Sequence, residues 1–148
     1  MERYDDEVYA AFAKAGGEGT VIAHGPQGAR FMMKLTPKRL YVLADGEPRG
    51  HCLTDVFAEA MALGMLKSSS TLVDLTLFTG TVHWESVRTL REMTPFGIES
   101  ASNVAYVVRN TLFVQLIKIA RAIFPKIRHE VFHSRAEAEA WLDSVDGT

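Results

Sequence analysis

The stretch "TLVDLTLFTGTVHWES" (residues 71–86) contains the pattern that decides the fold. Its first part, residues 71–78, is a short run of mostly large apolar residues, which predicts a buried β-strand. Gly80 marks a turn, and the segment that begins at Trp84 repeats apolar residues at three- and four-residue spacing, which predicts a helix. A strand that leads into a helix through a short polar turn is the repeating unit of an α/β domain.

The segments on either side extend this order. "TVIAH" (20–24), "RFMMKL" (30–35) and "RLYVLAD" (39–45) predict three strands joined by turns with glycine or proline, so the first strands should form an antiparallel meander. "VAYVVR" (104–109) and "IRHEVF" (127–132) predict later strands that alternate with helices. Strands separated by helices pair in parallel through right-handed crossovers. We therefore predict one α/β domain with a mixed sheet.

Four of the predicted helices begin at residues whose side chains can accept a hydrogen bond from the first helical turn. The last of them opens with Ser134-x-x-Glu137, the pattern of a capping box. Its Trp141 is predicted to be a core residue that packs against the strands around Val107 and Val131. The predicted caps, in chain order, are Asp5 or Asp6, Thr54, Asn110 and Ser134.

The composition is that of an ordinary globular domain. The chain has 148 residues, of which 47% are hydrophobic and 23% charged, and its net charge of −2 gives no basic surface for nucleic acid. Because Cys52 is the single cysteine, an internal disulfide is excluded, and a reducing compartment is favoured. The acidic N-terminus lacks the pattern of a signal peptide, and no apolar run approaches the roughly eighteen residues of a membrane span. These features predict a cytoplasmic protein, with peripheral membrane association as an open alternative.

Four segments of the sequence form a recognisable set: "LVDLTLFTG", "RTLREM", "NVAYVV" and "EVFHSRAEAEAWL". The set resembles the SpoIIAA-like branch of the STAS domain superfamily, and the closing pattern "VF-x-S-x-x-EA-x-A-WL" is its most specific part. The resemblance covers residues 30–145 and leaves residues 1–29 as an N-terminal extension of one helix and one strand. It implies a single STAS-like domain over residues 1–148, with a role in regulation or protein binding rather than catalysis.

The chain departs from these relatives at one turn. Sporulation-type anti-sigma-factor antagonists carry an Asp-Ser-Ser-Gly-like turn, whose serine is phosphorylated by a partner kinase. The corresponding turn here is "GTVHWES" (80–86), which has no Asp-Ser pair, and Ser86 falls within the predicted helix. We therefore predict that Ser86 is not a kinase switch. Members close to this branch have also been compared with Sec14-type lipid carriers, which leaves a lipid-like ligand as an alternative.

The turn after the predicted strand at 71–78 is the first candidate site. Hydroxyls and free backbone N–H groups at a helix start favour an anion, and α/β sheets bind ligands beyond the carboxyl ends of their strands. The alternative is a plain connection, in which Thr81 or His83 caps the helix and Gly80 supplies a positive φ. The binding candidates of this region are Asp74, Thr79, Gly80, Thr81, His83, Trp84 and Ser86.

Asp74 is predicted to lie mid-strand, with Thr76 and Phe78 on the same face. A carboxylate in that position must accept hydrogen bonds or shift its pKa, and the structural interpretation is an Asp that binds neighbouring loop N–H groups. A small hydrolase or transferase that uses Asp74 and His83 is a third hypothesis. It has the least support because no triad, phosphate loop or metal set accompanies the two residues. We therefore predict no catalytic residue and no cofactor.

The predicted helix from Asn110 to Phe124 is apolar around most of its circumference. A surface helix needs an apolar stripe of only about 100° to cover its sheet. Val114, Ile117 and Phe124 should therefore point towards the flanks of this helix, where a neighbouring helix, a second subunit or an apolar ligand would cover them. These three residues form the second set of binding candidates.

Two functional hypotheses of different class follow from the sequence. The first is a non-enzymatic regulatory or protein-binding module with a protein partner, and a homodimer is a further alternative. The second is a carrier or sensor of a lipid-like apolar molecule. A metal site is not expected, because His129 and His133 on an extended strand would lie about 13 Å apart, too far to share one zinc ion.

Overall fold

The computed structural model describes residues 6–15, 17–48, 50–64, 70–79, 103–109, 121 and 128–146. Six strands within these ranges form one sheet, in which the spatial order β1-β2-β3-β4-β5-β6 equals the chain order. Three helices of the described ranges accompany the sheet. The strands are β1 Thr20–His24, β2 Ala29–Leu35, β3 Leu40–Gly46, β4 Thr71–Asp74, β5 Asn103–Val107 and β6 Arg128–Phe132, and the helices are α1 Glu7–Lys14, α2 Gly50–Ala62 and α3 Arg135–Asp146.

The sheet is mixed, and the prediction of antiparallel strands followed by parallel ones is confirmed. β1, β2 and β3 pair antiparallel through short turns. β3, β4, β5 and β6 pair in parallel. Because these four strands run in the same direction, their carboxyl ends lie along one edge of the sheet.

Two predicted helix caps are confirmed by their hydrogen bonds. Asp6 caps α1, since its Oδ1 accepts from the backbone N–H of Tyr9 at 3.0 Å. Ser134 caps α3, since its Oγ accepts from the backbone N–H of Glu137 at 3.1 Å. In each case a side-chain oxygen satisfies a donor that the first helical turn leaves without a partner.

The predicted cap of α2 at Thr54 is wrong. This helix begins at Gly50, so Thr54 lies inside it and not at its cap. The chain leaves β3 at Gly46 with a positive φ of 71°, and it turns into the helix soon after Pro48. A threonine costs only about 0.7 kcal/mol or less inside a helix, so its presence does not by itself mark a helix start.

Alternation along the strands divides the core between the two faces of the sheet. One face, which we call the α1/α3 face, packs against Phe12 of α1 and against Ala138 and Leu142 of α3. The opposite face, the α2 face, packs against Val56 and Ala60 of α2. Strand residues of the α1/α3 face include Met32, Tyr41, Leu43, Leu72, Ala105 and Val107, and those of the α2 face include Ile22, Met33, Leu40 and Val42.

Trp141 packs against the two strands that the sequence predicts, but it is only partly buried and is not the fully buried core residue that was expected. Trp141 packs into the cluster that contains Val107, and its ring centroid lies 5.7 Å from that of Phe132. Val131 belongs instead to a cluster with Tyr106 on the other side of the sheet. Successive strand residues point to opposite faces, so α3 contacts Phe132 and not its neighbour.

Two buried basic residues of β2 hold both ends of α1. Arg30 is fully buried, and its Nη1 and Nη2 donate to the Asp6 carboxylate at 2.9 and 2.5 Å. Lys34 is also fully buried, and its Nζ donates to the backbone carbonyls of Ala13 (2.5 Å), Ala15 (2.7 Å) and Gly17 at the other end of the helix. Four strand residues span about 13 Å and an eight-residue helix about 12 Å, so the spacing of the two cations matches the length of α1.

A third buried cation holds α3. Arg39 is fully buried, and its guanidinium donates to Glu139 at 2.9 Å and to Asp143 at 2.5 Å. Glu139 also accepts from the hydroxyl of Tyr41 at 2.8 Å. The sequence gives little sign of these contacts, because each joins residues about a hundred positions apart.

The Arg30–Asp6 pair predicts a specific dependence of stability on pH. The hydrogen bonds from Arg30 hold the pKa of Asp6 below its usual range. A carboxylate whose pKa is lower in the folded state adds stability above its unfolded pKa of about 3.9 and loses it as the pH falls through the folded value. The stability advantage of the wild type over Asp6→Asn should therefore shrink between about pH 6 and pH 2, as measured by urea unfolding. Glu7→Gln alters an exposed carboxylate of the same helix and is the control; an advantage over Asp6→Asn that does not change with pH would contradict the expectation.

Candidate functional site

The candidate site lies at the edge of the sheet where the parallel strands end. β3 ends at Gly46, β4 at Asp74, β5 at Val107 and β6 at Phe132. The register aligns Asp74 with Leu43 on one side and with Val107 on the other. We call this region the carboxyl-end edge; it is where open α/β sheets bind ligands.

Asp74 is the last residue of β4, so its predicted position in the middle of a strand is wrong. Its Oδ1 accepts from the backbone N–H of Thr76 at 2.9 Å and from the Thr76 hydroxyl at 2.6 Å. A short aspartate side chain that bonds to the backbone two residues later offers the chain a turn in place of a ladder bond. The apolar run up to Phe78 therefore does not continue as a strand, although it reads as one. The partly buried carboxylate has the hydrogen-bonded structural role that the sequence left as one interpretation.

Gly46 fixes the path of the chain beyond this turn. Its N–H donates to the carbonyl of Leu77 at 2.9 Å, and its carbonyl accepts from the N–H of Thr79 at 2.8 Å. A Cβ on Gly46 would lie 1.6 Å from the carbonyl oxygen of Gly28, and the φ of 71° also favours glycine. These hydrogen bonds hold the backbone of Thr79, which is exposed to solvent at the carboxyl-end edge.

Most of the other predicted site residues lie outside the described ranges. Thr79 and Asp74 are described, and they lie at the same edge of the sheet. The remaining candidates stay predictions; they are Gly80, Thr81, His83, Trp84, Ser86, Val114, Ile117 and Phe124.

A contact between the partly buried Tyr106 and the buried His129, on the α2 side of the sheet, was not predicted. The Tyr106 hydroxyl lies 3.0 Å from Nδ1 of His129, and the two rings stack with centroids 5.8 Å apart. Burial raises the pKa of Tyr106 far above its usual value. The phenol therefore stays protonated, and it can donate to Nδ1 when that nitrogen carries no proton. The two residues lie on adjacent strands and are 23 positions apart in the sequence, so no local sequence pattern indicates the contact.

The second histidine of this region has a different partner. Nδ1 of His133 lies 3.2 Å from the carbonyl oxygen of Val108, to which it can donate. His129 and His133 thus have different hydrogen-bond partners. Among the described residues, no group of three or more His, Cys, Asp or Glu side chains is arranged to hold a metal ion. Cys52 is buried within α2.

Comparison with family models and with curated proteins gives no match. A solved structure is similar in fold: an uncharacterised protein of the DUF3478 family with a SpoIIAA-like fold, from Shewanella loihica PV-4. The two chains are 17% identical and superpose with a TM-score of 0.55, over 83% of this chain and 92% of the other. Of the helices in the described ranges, none has the length and apolar character needed to cross a membrane. The chain has the SpoIIAA-like fold that its sequence resemblance implies.

Proposed function

We propose that the protein is a non-enzymatic, STAS-like regulatory module that binds a protein partner at the carboxyl-end edge of its sheet. The observation that carries this proposal is that two ionisable side chains described at that edge are held in hydrogen bonds within the protein. Asp74 is engaged by Thr76, and His133 lies against the carbonyl of Val108. Groups held in internal hydrogen bonds support a fixed surface more than they support proton transfer, which requires a base in reach of a substrate.

The exposure of Thr79 is a second observation in support of this proposal. Thr79 is exposed at this edge, while its backbone N–H is held by Gly46. Residues just beyond the strand ends of a sheet are a common place for recognition, because the scaffold keeps the contact residues in position. The fold by itself does not decide between functions.

The test is a quantitative pull-down from the native host with a matched pair of variants. Thr79→Arg places a large cation at the carboxyl-end edge and keeps the backbone N–H. Glu18→Arg places the same side chain at an exposed position beside the start of β1, at the opposite end of the sheet. We expect Thr79→Arg to lower recovery of the partner by about tenfold or more, which corresponds to about 1.4 kcal/mol of binding free energy. Glu18→Arg should leave recovery unchanged.

Two results would contradict the proposal. Equal recovery of the partner with both variants would show that the partner does not bind at this edge. Native mass spectrometry that finds a co-purified apolar small molecule, and no stoichiometric protein partner, would instead support the alternative of a carrier or sensor of a lipid-like ligand.

A further inference from the structure

The two outer strands of the sheet differ in how their free edges are protected. Natural proteins guard an exposed edge with charged side chains, proline or a covering group, because its unpaired N–H and C=O groups can pair with another strand. β6 is guarded in this way. Arg128 and Glu130 are exposed charges within it, and Nη2 of Arg121 donates to the carbonyl of His129 at 2.5 Å.

Among the residues that the structure describes, none protects the edge of β1 in these ways. Its sequence, Thr-Val-Ile-Ala-His, contains no Lys, Arg, Asp, Glu or Pro. The ionisable side chain in it, His24, lies against the carboxylate of Glu59 on α2. The charge that could repel a second strand is therefore directed towards the protein's own helix.

Two turn hydrogen bonds establish which backbone groups of β1 face outwards. The N–H of Ala29 donates to the carbonyl of Pro26 at 2.9 Å, and the N–H of Thr36 donates to the carbonyl of Arg39 at 3.0 Å. Along an antiparallel ladder, hydrogen-bonded pairs alternate with pairs that are not hydrogen-bonded. Counting in steps of two residues from either turn therefore assigns the β1–β2 hydrogen bonds to the same residues. Those residues are Thr20, Ile22 and His24, paired with Leu35, Met33 and Phe31.

The backbone groups of Val21 and Ala23 consequently point away from β2. In the described part of the chain, no group bonds to them from the outer side. Each residue offers one donor and one acceptor, and the side chains of both already pack on the α1/α3 face. The outer edge of β1 is thus ready to receive one more strand without rearrangement of the core.

We propose that β1 pairs antiparallel with β1 of a second copy of this chain, about a two-fold axis at Ile22, so that the two sheets become one. In this register Val21 of each copy exchanges both backbone hydrogen bonds with Ala23 of the other. A two-fold interface uses the same surface patch from each copy, and β1 supplies such a patch.

The second copy is favoured because β1 is complementary to itself. Ile22 lies opposite Ile22 of the second copy, which gives an apolar pair at the closest point of the two strands. Thr20 of each copy lies opposite His24 of the other. No charged side chain therefore meets one of like charge along the contact. This contact is at the outer edge of β1 and does not depend on the partner proposed for the carboxyl-end edge.

The test measures self-association by sedimentation velocity of the full chain over a range of concentrations. Ala23→Pro removes an outward N–H and leaves the bonds to β2 intact, and proline is accepted in an edge strand at such a position. We expect a wild-type dimer and at least about a tenfold weaker association for Ala23→Pro. Ala23→Ser keeps the N–H and should associate like the wild type.

A measurement on the wild type makes the test independent of how the proline variant folds. Amide hydrogen exchange at Val21 and Ala23 should be slow where the dimer is populated and fast in dilute, monomeric samples. A wild type that stays monomeric at all concentrations would overturn the proposal. So would a dimer in which these two amides exchange as fast as in the monomer, or a folded Ala23→Pro that associates like the wild type.

Discussion

Arg30→Met should lower the free energy of unfolding by about 3–5 kcal/mol, the range seen when one partner of a buried ion pair is removed. Arg30 is fully buried and binds Asp6 through two donors, and its Nε lies 3.2 Å from Oδ2 of Asp45. Both carboxylates are largely buried, with exposed side-chain fractions of 8% and 14%. Methionine fills much of the same space and supplies no charge, so both carboxylates would lose their cation. Urea unfolding measures the loss.

Arg109→Met is the matched control for this variant. Arg109 is exposed at the end of β5, and a surface change of this kind is usually within about 0.5 kcal/mol of neutral. Adding Asp6→Asn to Arg30→Met should recover part of the lost stability, because it removes one of the unpaired charges. A loss below about 1 kcal/mol for Arg30→Met would show that the pair contributes no more than a surface ion pair.

Lys34→Met should cost about 3 kcal/mol and should loosen α1 more than α3. The ammonium of Lys34 donates to three carbonyls at the end of α1, where the helix has no internal donors left. A cation at a helix C-terminus also interacts favourably with the helix dipole. Methionine would leave these carbonyls to water or without a donor. The measurements are urea unfolding and amide exchange within α1 and α3.

Lys14→Met is the control for Lys34→Met, because it makes the same change at an exposed position of α1. We expect it to be close to neutral. If both variants lost equal stability, or if α1 and α3 exchanged equally fast in Lys34→Met, the carbonyl cluster would not be what holds α1 in place.

Local patterns were sufficient for most of the architecture. Alternating and continuous apolar runs placed the six strands of the described ranges, and the antiparallel-then-parallel order followed from whether a short turn or a helix was predicted between them. Asp6 and Ser134 were readable as caps because capping is a contact between residues three apart in the chain. Such signals are complete within a short window of sequence.

Only part of the candidate site could be predicted from the sequence. The sequence placed Thr79 correctly after a strand, because Gly80 already marks a turn there. It placed Asp74 wrongly in the middle of that strand. It did not show that β4 ends at Asp74, since an apolar run up to Phe78 is compatible with strand and with turn. The hydrogen bonds from Thr76 to the carboxylate decide between them.

The sequence alone therefore determined the order of elements and the mixed α/β sheet, because hydrophobic period, turn residues and caps are local. The SpoIIAA-like fold was implied by the resemblance of its segments to that branch of the STAS domain superfamily. Packing alone decided that Arg30, Lys34 and Arg39 are buried on the α1/α3 face, although basic residues are usually exposed. Their burial depends on acceptors that distant segments supply, namely Asp6, the end of α1 and the acidic residues of α3. The same is true of Tyr106 and His129, which meet because β5 and β6 are neighbours in the sheet. A charge or a polar ring is stable inside a protein only where partners meet it, and which partners meet is a property of the folded chain.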